Sequence, residues 1–172
     1  VKKIILIDRD GVINKKAQQG KYISKWSDFE WIKETRLAMK LLAEEGFKFI
    51  IITNQAGVAR GMIDSLELEK IHQNMIGELQ KDNIDILNIY TCPHHWEDDC
   101  KCRKPKPGMF YQASRDWALR LDQTLFIGDD IRDCQAAYSA GCGSIFLGNS
   151  DELKALSQKE QPIFSTIKLN EC

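Results

Sequence analysis

The stretch Ile4-Ile5-Leu6-Ile7-Asp8-Arg9-Asp10-Gly11 decides the fold. A short, β-branched apolar run is the pattern of a strand buried on both faces. It ends on two carboxylates two residues apart, where a glycine breaks the strand into a loop. Paired acids at such a break call for a cation. A carboxylate beside magnesium stays ionised and can attack phosphorus, while its neighbour can protonate a leaving oxygen. The alternative is a solvated turn after a strand.

Similar apolar runs recur at residues 49–53, 87–91, 124–128 and 144–147, and the first extends over residues 3–7. Helical patterns lie between them. Leu37, Leu41 and Leu42 share one face, as do Leu68, Ile71, Met75 and Leu79. Asp64 is placed to cap the second of these helices, with Glu67 three residues on. Residues 107–121 and 132–140 read as two further helices. The alternation predicts a three-layer α/β fold with a mainly parallel sheet. A short last helix from Asp151 and an edge strand near residues 163–166 complete it. No repeat, low-complexity segment or linker divides residues 1–172, so a single domain and a monomer are expected.

Of the 172 residues, 24 are basic and 25 acidic, so no net field favours nucleic acid or an anionic membrane. No run of 18 apolar residues exists, and residues 4–7 are too short for the apolar region of a signal peptide. A soluble, cytoplasmic chain is expected. It opens on Val1 rather than methionine, which fits a trimmed start.

Three more motifs follow strand ends, where ligands collect in such a sheet. Thr53-Asn54-Gln55, leading through Gly57 to Arg60-Gly61, combines a hydroxyl, amides and a guanidinium suited to a phosphate or polyol; a polar turn is the alternative. Arg103-Lys104-Pro105-Lys106-Pro107 holds three cations in a proline-stiffened loop, where a fixed lysine can neutralise charge during phosphoryl transfer. Gly128-Asp129-Asp130-Ile131-Arg132-Asp133 opens a helix and offers a further magnesium ligand. Asp130 and Asp133 there also read as acids favoured at a helix start; the metal role is assigned to Asp129 and the helix-start role to Asp133.

Cys92, His94, Cys100 and Cys102 have the donor set and spacing of a closed, structural zinc site. It leads directly into Arg103 and Lys104, so zinc would fix the geometry of these cations. His95 is read as an exposed or supporting neighbour, His72 as a helix-surface residue, and Cys134, Cys142 and Cys172 as small buried or terminal thiols.

Taken in order, these motifs resemble the haloacid dehalogenase superfamily of phosphohydrolases. Asp8-Arg9-Asp10-Gly11, the run from Thr53 to Gly61, Cys92-Pro93-His94-His95 and the run from Cys100 to Pro105 resemble the heptose-bisphosphate phosphatases, with the histidinol-phosphate phosphatases close by. The resemblance covers residues 4–148. It implies that Asp8 is the nucleophile and Asp10 the general acid and base, with Thr53 and Lys104 holding the phosphoryl group. Magnesium would be bound by Asp8, the Asp10 backbone carbonyl and Asp129. Arg9, Asn54, Gln55, Arg60 and Arg103 would bind or orient substrate, and the core would be Rossmann-like, closed by loops rather than by a large cap domain.

Three features depart from the family pattern: the short spacing from His94 to Cys100, the long stretch of residues 15–21, and Asp130 where a lysine is usual. Heptose 1,7-bisphosphate is the first expectation for the substrate, with Lys15, Lys16, Lys21 or Arg60 meeting the second phosphate. Histidinol phosphate is the alternative, with Asp98 or Asp99 meeting its amine. A nucleic-acid 3′-phosphatase shares part of the pattern, but the chain lacks a basic stripe interleaved with aromatics. A zinc-stabilised binding module without activity is disfavoured by the intact Asp8, Asp10, Lys104 and Asp129.

Overall fold

The computed structural model describes residues 2–166; Cys172 lies outside them. Six strands form one sheet in the order β3-β2-β1-β4-β5-β6. They are β1 (Ile4–Ile7), β2 (Lys48–Asn54), β3 (Ile86–Cys92), β4 (Leu125–Gly128), β5 (Gly143–Leu147) and β6 (Phe164–Thr166). Every pairing is parallel, as the continuous apolar runs predict.

Alternation along the strands divides the core. Ile5 and Ile7 of β1 pack with Ala38, Met39, Met75 and Leu79 on one face. Leu6 packs with Phe110, Ala113, Ala136 and Ala137 on the other. Helices α1 (Lys33–Glu44) and α2 (Ser65–Gln80) therefore cover one side, and α3 (Gly108–Trp117) and α4 (Ile131–Ala140) the other. This is the expected three-layer α/β arrangement.

The α2 stripe Leu68, Ile71, Met75 and Leu79 is buried as expected. The Asp64 side chain accepts hydrogen bonds from the backbone of Leu66 and Glu67 at 2.8 and 3.3 Å, whereas Glu67 itself pairs with Lys70. The reading of α1 needs correction. Its buried residues are Thr35, Ala38 and Met39, while Leu37 and Leu41 are 51% and 54% exposed. Counting only large aliphatics displaced the inward face, because Thr35 and Ala38 fit the close approach to the sheet and carried no weight in that count. The expected last helix is a 3₁₀ segment, Ser150–Ala155.

Strand order reverses between β1 and β4, whose carboxyl ends therefore lie side by side. At such a switch point the chains leave in opposite directions and open a crevice. Asp8 follows β1 and Asp129 follows β4, and the Asp8 N–H donates to Ile127 O at 2.9 Å.

Met75 has no exposed surface, so Met75→Ala should lower the unfolding free energy by about 2–5 kcal/mol. Chemical denaturation checks this; a loss under about 1 kcal/mol would contradict the assigned α2 face.

Candidate active site

A cavity of about 110 Å³ at the switch point is lined by Asp8, Asp10, Lys16, Thr53, Asn54, Lys104, Asp129 and Asp133, among others. The structure thus brings together the four residues expected to carry the chemistry, Asp8, Asp10, Thr53 and Lys104, with the expected metal ligand Asp129.

Lys104 organises the floor. Its ammonium is 3.0 Å from Asp8 Oδ1 and 2.8 Å from Asp133 Oδ1, and it donates to Ile52 O at 3.1 Å. Burial opposes the charge on this lysine, but Asp133 and Asp8 outweigh it and raise its pKa. The loop carrying it is held by a reciprocal amide pair: Asn54 Oδ1 accepts from Lys104 N and Asn54 Nδ2 donates to Lys104 O, both at 3.1 Å. Asn54 therefore positions Lys104 and lines the cavity.

Burial, reinforced by Asp133, Asp129 and Asp10 and only partly offset by Lys104, pushes Asp8 up to about 7. Burial likewise pushes Asp129 up to about 6 against the opposing effect of Lys16. Added positive charge beside these two carboxylates would favour their ionised forms. Carboxylate oxygens of Asp8, Asp129 and Asp133 lie within 4.8 Å of one another. Asp129 Oδ1 is buried with no hydrogen-bond partner among the described residues. A hard divalent cation fits this donor set, since magnesium takes oxygen ligands and needs few protein carboxylates.

Asp133 proves more than a helix-start acid. Its Oδ2 accepts from Asp129 N and Asp130 N at 3.1 and 3.2 Å, completing a capping box with Asp130. Its Oδ1 holds Lys104, so the carboxylate that starts α4 also fixes the cation. Gly128 permits this: a Cβ there would lie 2.4 Å from Asp133. The sequence hinted at this through a glycine ending a strand five residues before an acid, but helix-start preference alone explained Asp133 well enough to hide its second role.

The expectation that Arg9 meets substrate is corrected. Arg9 has no exposed surface, and its guanidinium donates to both oxygens of Asp10 at 2.9–3.2 Å. Its Nη1 lies 2.9 Å from His72 Nε2. Gln55, also buried, donates to Asp10 Oδ2 at 2.7 Å and Thr53 Oγ1 at 2.9 Å, so it orients Asp10 rather than substrate. Asn14 adds a third donor to Asp10 at 2.8 Å. Burial opposes ionisation of Asp10, but Arg9, Asn14 and Gln55 more than compensate and hold its pKa low. In this rotamer Asp10 is an acceptor; to donate a proton its carboxyl must turn away from Arg9.

His72 is likewise not a simple surface residue. Arg9 can only donate, so Nε2 must be the unprotonated nitrogen. Burial and Arg9 hold the pKa of His72 down to about 3.

Arg60 and Arg103, also expected to meet substrate, do not line this cavity. Arg60 donates to the Tyr22 hydroxyl at 3.1 Å and lies 5.2 Å from the Trp96 ring centre, joining the loops that follow β1, β2 and β3. Arg103 Nη1 is buried without a partner among the described residues, beside a cleft shared with Trp96, Lys104 and Arg132.

The four expected zinc ligands converge. Cys92 Sγ, Cys100 Sγ, Cys102 Sγ and His94 Nδ1 are spaced 3.2–3.6 Å in five of their pairs. Tetrahedral zinc with about 2.3 Å bonds to sulfur would set its sulfurs roughly 3.7 Å apart. Burial pushes the Cys92 and Cys102 thiols up, so keeping both as thiolates calls for a bound cation. The loop is clamped to α3 by Gly108 N donating to Lys101 O at 3.1 Å, a contact that a Cβ at residue 108 would block. A zinc ion therefore fits, with no open position among its ligands. Cys134 and Cys142 are free and buried, as expected.

Residues 3–141 match the family model described as polynucleotide kinase 3 phosphatase. The chain is 36% identical over 152 residues to a D-glycero-alpha-D-manno-heptose-1,7-bisphosphate 7-phosphatase of Photorhabdus laumondii, covering 84% of this chain and 81% of the relative. It is also 36% identical over 162 residues to a D-glycero-beta-D-manno-heptose-1,7-bisphosphate 7-phosphatase of Bordetella bronchiseptica, covering 93% and 88%. The crystal structure of a B. bronchiseptica D,D-heptose 1,7-bisphosphate phosphatase complexed with magnesium and phosphate superposes with a TM-score of 0.88 at 30% identity, covering 98% of this chain and 94% of that one.

Two measurements test these environments. The unfolded chain binds a proton on His72 below pH 6.5 and the folded chain only near pH 3, so stability is lost as pH falls through that window. His72→Gln keeps an acceptor for Arg9 and should shrink the loss between pH 7 and 5 by about 2 kcal/mol; an unchanged pH dependence would mean that His72 protonates freely in the fold. Verified removal of zinc by a chelator should lower Tm, since metal binding contributes folding free energy. An identical melting curve would refute a structural metal in the cysteine loop.

Proposed function

Because the chain belongs to the haloacid dehalogenase superfamily and, within it, to the heptose-1,7-bisphosphate 7-phosphatase family, we propose that it removes the 7-phosphate of a heptose 1,7-bisphosphate through an aspartyl phosphate. The observation that carries this reading is the convergence of Asp8, Asp10, Thr53, Lys104 and Asp129 on one cavity of about 110 Å³. That cavity has room for a phosphoryl group, and the sugar lies outside it, against the loops.

Asp8 attacks phosphorus, its oxygen forming the new bond as the bond to the sugar oxygen breaks. Asp10, released from Arg9 and protonated from solvent, gives that oxygen its proton. Lys104 and the Thr53 hydroxyl, whose oxygen already accepts from Gln55, meet the phosphoryl oxygens. Asp10 then takes a proton from water, which attacks phosphorus, frees inorganic phosphate and regenerates Asp8. Asp8, Asp129 and the Asp10 backbone carbonyl would hold magnesium, which supplies positive charge beside Asp8 and the transferring group.

A bisphosphate suits the surroundings better than histidinol phosphate. Lys21 lines a neighbouring cavity of about 470 Å³ together with Lys15 and Lys16, which pair with Glu30 and Asp129 at its edges and could exchange them for a phosphate. Asp98 and Asp99, the acids that would meet an amine, are engaged elsewhere: Asp98 accepts from His95 N at 2.7 Å and Asp99 pairs with Lys106. No described helix is long and apolar enough to cross a membrane. We read residues 1–172 as one phosphatase domain acting as a monomer in the cytoplasm, where phosphorylated sugars are confined by their charge. The family model's description keeps a 3′-phosphorylated nucleic acid as the second reading.

Phosphate release with magnesium from both anomers of heptose 1,7-bisphosphate, histidinol phosphate and a 3′-phosphorylated oligonucleotide should favour one heptose anomer by about a hundredfold or more in kcat/KM, equivalent to about 2.7 kcal/mol. Asp8→Asn should abolish turnover while the protein stays folded. A preference for either other substrate overturns the substrate assignment, and substantial turnover by Asp8→Asn overturns the mechanism.

A further inference from the structure

Lys16 makes a contact that meeting a second phosphate does not require. Its ammonium lies 2.6 Å from Asp129 Oδ2, with the lysine side chain 50% exposed and the aspartate 11%. A half-exposed lysine thus reaches inward to the same carboxylate whose other oxygen is buried and unpartnered among the described residues. The path is built into the backbone. Gly11 has φ +91°, and a Cβ there would lie 1.9 Å from Asp129 Oδ2 and 2.6 Å from Lys16 Cε. The lysine stem therefore crosses directly over the glycine of the Asp-x-Asp-Gly turn.

The base of the loop is fixed, since Lys15 N donates to Glu30 O at 2.8 Å and Gly11 N to Asn14 O at 2.6 Å. The lysine's reach then comes from its own flexible four-carbon stem. Lys16 also lines both cavities, the carboxylate-floored one and the larger one shared with Lys15, Lys21 and Tyr22. Turning the side chain exchanges one for the other without moving the loop.

We propose that Lys16 gives up Asp129 when a divalent cation binds there and turns to the phosphorylated substrate. This rests on the phosphatase reading and gives one of its phosphate-facing lysines a second role, as the rival of the metal at Asp129. A magnesium ion about 2.1 Å from a carboxylate oxygen and an ammonium on that same carboxylate repel each other. The phosphate dianion that follows the metal offers the displaced ammonium a new partner at the cavity's mouth. Metal and lysine are rivals before substrate binds, and lysine and phosphate are partners afterwards.

One substitution therefore has two effects of opposite sign. Titration calorimetry of the full chain with Mg²⁺ alone should show Lys16→Met binding the metal about fivefold more tightly than wild type. Titration with inorganic phosphate at saturating Mg²⁺ should show the same variant binding phosphate about fivefold more weakly. A residue that merely holds the loop in place would move both affinities in the same direction. The proposal is overturned if both shift together, or if either stays at the wild-type value, in a variant whose circular dichroism and Tm match wild type. Wild-type protein that binds neither ligand overturns the phosphatase reading and this inference with it. Wild type binding both, with Lys16→Met unchanged, overturns this inference alone.

Discussion

The buried ammonium of Lys104, held between Asp8 and Asp133, is the constraint on which the rest of the site depends. A lysine 3% exposed is stable only while its carboxylates face it, and removing one partner of such a pair strands the other charge away from water. The triad therefore ties three distant parts of the chain to one geometry: the end of β1, the loop after the cysteine cluster and the first turn of α4. Asn54 fastens the same lysine's backbone to the end of β2. The strand ends are thus locked by charge as well as by sheet hydrogen bonds.

The second device is the separation of the two N-terminal aspartates. Asp8 and Asp10 are two residues apart, yet their environments drive them in opposite directions: burial raises Asp8, whereas Arg9, Asn14 and Gln55 hold Asp10 ionised despite burial. Arg9 lies between them in sequence and points wholly to Asp10, backed by a neutral His72. Two acids in one motif acquire different chemistry because one is wrapped in donors, while the other is desolvated with one ammonium among several carboxylates, a division of labour common to acid-base pairs.

The fold was legible because the central strands β1, β2 and β4 carry uninterrupted apolar runs that end in polar motifs, so strand, loop and site could be read together. The zinc ligands were legible because cysteine and histidine at that spacing have few other uses in a polar loop. What the sequence hid were charges acting on charges. Arg9 looks like an anion receptor until its burial is known, and Asp133 like an ordinary helix-start acid until Lys104 is seen against it. Lys16 looks like one of several loop lysines. Each depends on which partner the fold brings near, and partners far apart in sequence leave no periodic trace. Leu37 and Leu41 misled for a different reason, since hydrophobicity alone does not say which face of a helix has room for bulk.

The charges around the cavity also dictate an order of events. Three carboxylates, Asp8, Asp129 and Asp133, share the floor with one buried ammonium, while Asp10 is neutralised by Arg9. Such a floor repels a phosphate dianion at short range, where the surroundings screen poorly. Lys16 lessens the excess without removing it, and it does so from the position that the oxygen donors suit for a divalent cation. A phosphorylated substrate therefore binds well only after the divalent charge is in place and Lys16 has turned outward. The small cavity has room for little beyond a phosphoryl group, so the rest of a phosphate ester lies against the loops outside it, where Tyr22, Arg60 and Trp96 meet. Charge at the floor selects for phosphate, and the loops decide what carries it.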